Sequence, residues 1–391
     1  MKRNILAFIV ALIAATLAYL FFAPVSIAPA AWTPPVAPSL TGPYQQNSRL
    51  APVQRLSLGD GHSPEDVAVD ADGRIYGGLE DGRIVQLQPD GTQPRVFANT
   101  HGRPLGLVFD RDGNLLVADA LKGLLSISKA GEVKLLADGA EGAKFGCLND
   151  LDVAADGTIY FTEASNKFPM SEHVSDLLEH QPNGRLLAWD PKTQKARTLL
   201  PGMYFANGVA VSPDQSFVLA VETGMYRVQR YWLTGPKQGQ ADVFIDNLPG
   251  FPDGISSNRE YKSSEAKDNS SVSVQNSSVG GEKSTVSREK STVSGERFWL
   301  SLVTPRQSLF DRLLPHPFLR KVVFRLPKSL QPAPQHYSFV LALDTQGRVI
   351  DNLQNGAPDC YSQIANTVEH NGALYFGSIG EDTIGRFTLP R

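Results

Sequence analysis

Val67-Ala68-Val69-Asp70-Ala71-Asp72-Gly73-Arg74-Ile75-Tyr76 is an alternating apolar run, an aspartate-rich turn ending in glycine, and a second apolar run. Aspartate plus glycine between two runs of period two is the strongest short-range hairpin signal a sequence offers. The pattern returns as Leu107-Val108-Phe109-Asp110-Arg111-Asp112-Gly113-Asn114-Leu115-Leu116 and as Leu151-Asp152-Val153-Ala154-Ala155-Asp156-Gly157-Thr158-Ile159-Tyr160. A looser copy is Val209-Ala210-Val211-Ser212-Pro213-Asp214-Gln215-Ser216-Phe217-Val218. Further strand segments follow, such as Gly82-Arg83-Ile84-Val85-Gln86-Leu87 and Gly184-Arg185-Leu186-Leu187-Ala188-Trp189. Two hairpins in about 40 to 60 residues make one four-stranded blade. Copies around Phe298-Trp299-Leu300 and Ala373-Leu374-Tyr375-Phe376 bring the expected number of blades to six, and Val53 to Leu58 supplies the strand that closes the ring. The predicted fold class is all-β: a six-bladed β-propeller over residues 53–391, behind an N-terminal transmembrane helix.

Four of the expected inner strands are preceded by one oxygen-bearing side chain. These are Glu65 in Ser63-Pro64-Glu65-Asp66, Asn149 in Leu148-Asn149-Asp150, Asn207 in Ala206-Asn207-Gly208 and Asp253 in Pro252-Asp253-Gly254. At the openings of inner strands the four side chains converge on the propeller axis. Two carboxylates and two amides form a hard, oxygen-only set of charge minus two, which suits Ca2+. Asparagine and aspartate also cap tight turns, and that is the competing reading of any one of them taken alone. Asp70, Asp72, Asp110, Asp112 and Asp156 lie in hairpin turns and are read as structural. Glu163 and Glu222 follow second strands and are read as surface salt-bridge partners, with a place at the pocket rim as the alternative, and the histidines of the loop stretches, His180 among them, as surface residues.

Composition places the rest. Net charge of -3 and a pI near 6.2 give no reason to expect nucleic acid as a partner. Cys147 and Cys360, far apart, fit one disulfide or two free thiols, and no Cys/His spacing suggests zinc. Lys2 and Arg3 precede an uncharged apolar run from Ile5 to Ala23, long enough at about 1.5 Å per residue to cross a hydrocarbon core of roughly 30 Å. The basic pair should stay in the cytoplasm, sending the chain to the extracytoplasmic side as a single-pass protein. A cleaved signal peptide with Ala28-Pro29-Ala30 as its site is the alternative; the length of the run favours an uncleaved anchor over residues 1–23. Seven prolines between Pro24 and Pro52 favour extended polyproline structure, so residues 24–52 read as a spacer lifting the propeller off the membrane. The Ser/Lys/Glu-rich stretch 261–295, with near-repeats at Glu282–Ser287 and Glu289–Ser294, reads as a disordered insertion leaving from the face opposite the four oxygen ligands. Asn269 and Asn276 are glycosylation sequons within it. The apolar, basic stretch Phe310 to Phe324 reads as a helix packed on the blades, with a pocket lid or a membrane contact as alternatives.

The ordered series of blocks resembles the strictosidine-synthase-like family, part of the calcium-dependent six-bladed propellers that include gluconolactonases, paraoxonases and diisopropylfluorophosphatase. The blocks are Gly102-Arg103-Pro104-Leu105-Gly106, Val117-Ala118-Asp119-Ala120-Leu121-Lys122-Gly123, Asn149-Asp150-Leu151 with Tyr160-Phe161-Thr162, Pro249-Gly250-Phe251-Pro252-Asp253, and Glu369-His370-Asn371-Gly372-Ala373-Leu374-Tyr375. A membrane-anchored member of the family also begins with one signal anchor. The resemblance implies an axial calcium held by Glu65, Asn149, Asn207 and Asp253. It departs from the plant synthases at Ala365, where their catalytic glutamate would stand five residues before His370, and from the paraoxonases at Asp119-Ala120, where their histidine pair is missing.

The expected activity is hydrolysis of a small ester or lactone. Bound calcium would polarise the carbonyl, with Asp253 as general base toward water or as direct nucleophile. Two rivals are a non-catalytic binding propeller with structural calcium and an amine–aldehyde condensing enzyme. The second lacks its proton-transfer group at Ala365.

Overall fold

The structure, a computed structural model, describes residues 2–258 and 295–390. Among them are six antiparallel four-stranded sheets, joined in chain order as blades 1 to 6. Their inner strands are Val67–Val69, Pro104–Phe109, Cys147–Val153, Ala206–Val211, Gly250–Ser257 and Ile364–His370. Gln54–Ser57 pairs with Thr383–Thr388 and completes blade 6, so the ring closes with the strand the sequence predicts. Closure by the first strand, added as the outermost strand of blade 6, joins the two ends of the ring. The aspartate-led turns act as read: Asp70 accepts the backbone N–H groups of Asp72 and Arg74 at 3.0 and 2.9 Å.

Each inner strand begins on what we call the upper face. In blade 5, Gly250 pairs with Pro305 and Ser257 with Phe298, so connections between second and third strands also lie on the upper face. Three helices fill those connections: α2, His173–Glu179, in blade 3, and α3, Ser308–Leu313, with α4, Pro317–Phe324, in blade 5. The 261–295 insertion is flanked by Ser257 and Phe298 on the lower face; it lies, apart from Gly295, outside the described residues.

α1, Lys2–Phe22, is long and apolar enough to cross a membrane by length and composition, and none of its residues is buried. Residues 24–52, expected as a spacer, instead lie along the propeller. Ile27 and Leu50 are buried. Ala28 N donates to Glu179 Oε2 at 2.8 Å, Ala30 N to Glu179 O at 3.0 Å, and Trp32 N to Leu314 O at 3.2 Å. The Trp32 ring stacks on His180 at 4.5 Å between centroids. Proline content correctly implies extended backbone. Extended backbone leaves carbonyls and every non-proline N–H unpaired, and these seek partners on a neighbouring surface.

Candidate functional site

A bulge at the same place in blades 2 to 6, and the residues just ahead of the inner strand in blade 1, position the site. Register is interrupted between Pro104 and Gly106, Leu148 and Leu151, Ala206 and Val209, Pro252 and Ile255, and Ile364 and Thr367. A bulge breaks strict alternation, so two successive residues turn toward the axis instead of one. The first of each pair, reading blades 1 to 6, is Glu65, Leu105, Asn149, Asn207, Asp253 and Ala365. The second is Asp66, Gly106, Asp150, Gly208, Gly254 and Asn366. All of these except Gly208 line a cavity of about 10 Å³, roughly one water-sized sphere. The four residues singled out in the sequence therefore come together on the axis and are all buried.

The second row carries structure. Asp66 accepts from Val67 N and, across to blade 2, from Leu107 N at 2.7 Å. Asp150 accepts from Leu151 N and, across to blade 4, from Val209 N, both at 2.8 Å. Asn366 closes the circle by donating to Asp66 at 2.5 Å. Glycine completes the row because there is no room for more: a Cβ on Gly208 would lie 2.4 Å from Ile255 N and 2.6 Å from Asp253 O. Asp66 and Asp150 were not singled out in the sequence as part of the site. Their signal was their place directly after Glu65 and Asn149, which period-two reading assigns to the opposite side.

The first row is short of partners. Glu65 receives one hydrogen bond, from Arg103 Nη2 at 3.3 Å, and that guanidinium also donates to Ser63 O and Oγ. Asn207 Nδ2 donates to Thr223 Oγ1 at 3.3 Å, and Thr223 in turn donates to Pro252 O at 2.7 Å, tying blade 4 to blade 5 beside Asp253. Asn149 Nδ2 is buried without a partner among the described residues. Burial pushes the Glu65 carboxyl up against the pull of Arg103. Burial, then repulsion from Glu65, pushes Asp253 well above the usual carboxylate range, opposed by a hydrogen bond from Asn207. Buried carboxyls with so few donors are costly unless something else compensates them. A hard cation in the cavity fits this donor set: two carboxylates and two amide oxygens around one sphere, with Leu105 and Ala365 closing the remaining sides.

Glu163 and Glu222 are not the surface residues the sequence suggested; both are fully buried at the upper ends of second strands. Glu163 accepts from Gly146 N at 2.5 Å and from Arg185 Nε. Glu222 accepts from Tyr204 N at 3.0 Å and Arg227 Nε at 2.6 Å. Asp119 repeats the device in blade 2, accepting from Arg103, Leu121 and Lys122 N. Each carboxylate thus pins the loop just before an axial residue. His180 is also buried, and burial lowers its pKa to about 4. Cys147 and Cys360 are both buried free thiols.

On the lower face a larger cavity of about 1400 Å³ is bordered by Asp70, Asp110 and Asp152. These carboxylates are committed: Asp70 to its turn and to Tyr76 Oη, Asp110 to Asn114, and Asp152 to Val153 N and Val211 N.

Residues 149–236 match the strictosidine synthase family and residues 42–87 the strictosidine synthase-like N-terminal family. Adipocyte plasma membrane-associated protein from Bos taurus is 32% identical over 374 residues, spanning 90% of this chain and 82% of that one. Protein strictosidine synthase-like 4 from Arabidopsis thaliana is 31% identical over 360 residues, spanning 90% and 86%. Among solved structures, a gluconolactonase from Xanthomonas campestris superposes with a TM-score of 0.57 at 17% identity, over 94% of this chain and 99% of that one. The calcium-binding protein regucalcin from Agrobacterium tumefaciens does so with a TM-score of 0.55 at 14% identity, over 86% and 94%. At these identities the two structures establish the six-bladed fold.

Proposed function

Since the chain belongs to the strictosidine synthase-like family, we propose that it is a membrane-anchored, calcium-dependent hydrolase of small esters or lactones. The observation that carries this reading is the first axial row, whose Glu65 and Asp253 carboxyls are buried around an ion-sized cavity, with one guanidinium, that of Arg103, against Glu65. Glu65, Asn149, Asn207 and Asp253 would hold the ion. When bound, calcium would polarise the substrate carbonyl and steady the oxyanion that develops on it.

Asp253 would hold the ion through its carboxylate, and beside a cation it would be ionised and able to accept a proton from water. Thr223, linked to both Asn207 and the Pro252 carbonyl, sets the spacing of the two blades that carry Asn207 and Asp253. Ala365 offers a methyl group to the cavity where an amine–aldehyde condensation would need a carboxylate, which counts against synthase chemistry. The likeness to a gluconolactonase and to a calcium-binding propeller supports the same choice of substrate class and ion. α1 would be the membrane anchor, with the propeller on the extracytoplasmic side.

The test is turnover of phenyl acetate and a lactone panel by the full chain in detergent, before and after chelation. The reading expects activity that disappears with chelator, returns with calcium, and is missing in Asp253→Asn. Absence of turnover across the panel, with calcium still raising the melting temperature, would identify a binding propeller instead.

A further inference from the structure

The upper face carries an apolar surface that the described residues leave largely uncovered. Leu309 on α3, Phe318 and Leu319 on α4, and Leu330 just beyond are between 44% and 66% exposed. Arg312 and Lys328 are exposed among them. α4 is amphipathic in the literal sense: Arg320 on its inner side is fully buried and donates to Leu178 O and Ala30 O, while Phe318 and Leu319 face outward. A cluster of this kind in a soluble protein marks a partner surface.

Its continuity with α1 identifies the partner. The Phe21 ring, at the end of α1, stacks on Phe318 at 5.8 Å and 6°. Arg325, at the end of α4, donates to the Leu20 and Ala23 carbonyls at 2.7 and 2.8 Å. Those are the last carbonyls of α1, the ones a helix leaves unpaired, so the guanidinium both caps α1 and meets the negative end of its dipole. The C-terminal end of an apolar helix with the right length to span a bilayer is therefore bolted to α4. A bilayer crossed by α1 has its surface at this junction. Apolar side chains interspersed with arginine and lysine are the composition of a helix lying in a lipid interface.

We propose that α3, α4 and the turn at Leu330 lie in the lipid headgroup layer of the membrane that α1 spans, holding the propeller with its upper, axial-site face toward the bilayer. This rests on the anchor role of α1 given above. It differs from a spacer arrangement, in which the propeller would stand off and tumble.

The experiment places nitroxide labels on single cysteines in the full chain, reconstituted in nanodiscs of phosphatidylcholine and phosphatidylglycerol. Leu319→Cys and Leu330→Cys report the face, Leu12→Cys reports α1, and Val243→Cys on the outer strand of blade 4 is the aqueous reference; the native thiols are buried. Melting temperatures check that each variant is folded. The readout is collision with oxygen against collision with a water-soluble nickel chelate. The expected result is oxygen-dominated collision at 319 and 330, at a depth of about 5–10 Å, and nickel-dominated collision at 243. Nickel-dominated collision at 319 and 330 with Leu12 in lipid would overturn the docking face and leave the anchor standing. Nickel-dominated collision at all three would overturn both. Label–label dipolar broadening at 319 or 330 would show that a second copy of the chain, and not lipid, covers the face.

Discussion

Two regions on the upper face bury charge, and they do so differently. Beneath residues 24–35, Arg320 donates to Leu178 O, Glu179 O and Ala30 O, and Glu179 receives Lys167 Nζ and Ala28 N. On the axis, Glu65 has one partner in Arg103, and Asp253 is flanked by Asn207 and repelled by Glu65. In the first region the polypeptide meets each charged side chain with two or more hydrogen bonds and leaves one atom, Arg320 Nε, without a partner among the described residues. The second sets the Glu65 and Asp253 carboxyls against a single guanidinium, a shortage of positive charge that a bound cation would offset. Charge met by several polypeptide partners marks architecture; charge left with few marks a place reserved for something the chain does not contain.

The strongest way to break the contrast is at Asp253. Asp253→Asn should lower ester or lactone turnover by at least about 10²-fold, in line with loss of a general base or oxyanion support. The same substitution should not destabilise the metal-free protein. A carboxyl whose pKa is raised in the folded state favours folding fully below its unfolded pKa and loses that contribution as pH rises. Metal-free Asp253→Asn should therefore unfold at higher urea than the parent at pH 7, with the gap closing toward pH 4. A destabilised metal-free variant would mean that Asp253 is structural.

Next in size is Arg320→Ala, the mirror experiment. It removes the donor to Leu178 O and Ala30 O, while Glu179 O keeps Ala30 N, and should cost about 3 kcal/mol in urea unfolding while leaving calcium affinity unchanged. Gly208→Ala should cost about 2 kcal/mol, because its Cβ meets backbone of blade 5. It should also weaken calcium binding by displacing Asp253, which separates it from Arg320→Ala.

How much of this was legible in the sequence follows from period. Hairpins such as Val67 to Tyr76 announce themselves by alternation and an aspartate–glycine turn, so the blades and the closing strand at Gln54–Ser57 could be read directly. The axial oxygens could be read because they repeat at one place in the blade. Asp150 could not, because a bulge turns adjacent residues to the same side and alternation has no term for it, and Asp66 could not, because it stands before its inner strand begins. Glu163 and Glu222 look like surface charges locally; only the third strand, bringing Arg185 and Arg227, makes their burial affordable. The strap of residues 24–52 has a spacer's composition, and its docking depends on donors and acceptors hundreds of residues away, such as Gln354 O for Leu50 N.

The smallest effect sharpens the comparison from the architectural side. Burial holds His180 at about 4, below its unfolded value near 6.5, so the unfolded chain takes up the proton first. Stability should fall as pH drops from about 6.5 toward 4, by up to about 1.4 kcal/mol per pH unit. His180→Gln should flatten that dependence in urea midpoints between pH 7 and 5, opposite in sign to the axial carboxyls. An unchanged slope would remove His180 from the account.

The central claim is that the axial row is built for one cation, and calorimetric calcium titration of the chelator-treated full chain in detergent addresses it most directly. The account predicts one calcium per chain in the parent and in Arg320→Ala, and loss of binding in both Glu65→Gln and Asp253→Asn. No heat of binding in the parent, or the same affinity in Asp253→Asn as in the parent, would contradict it.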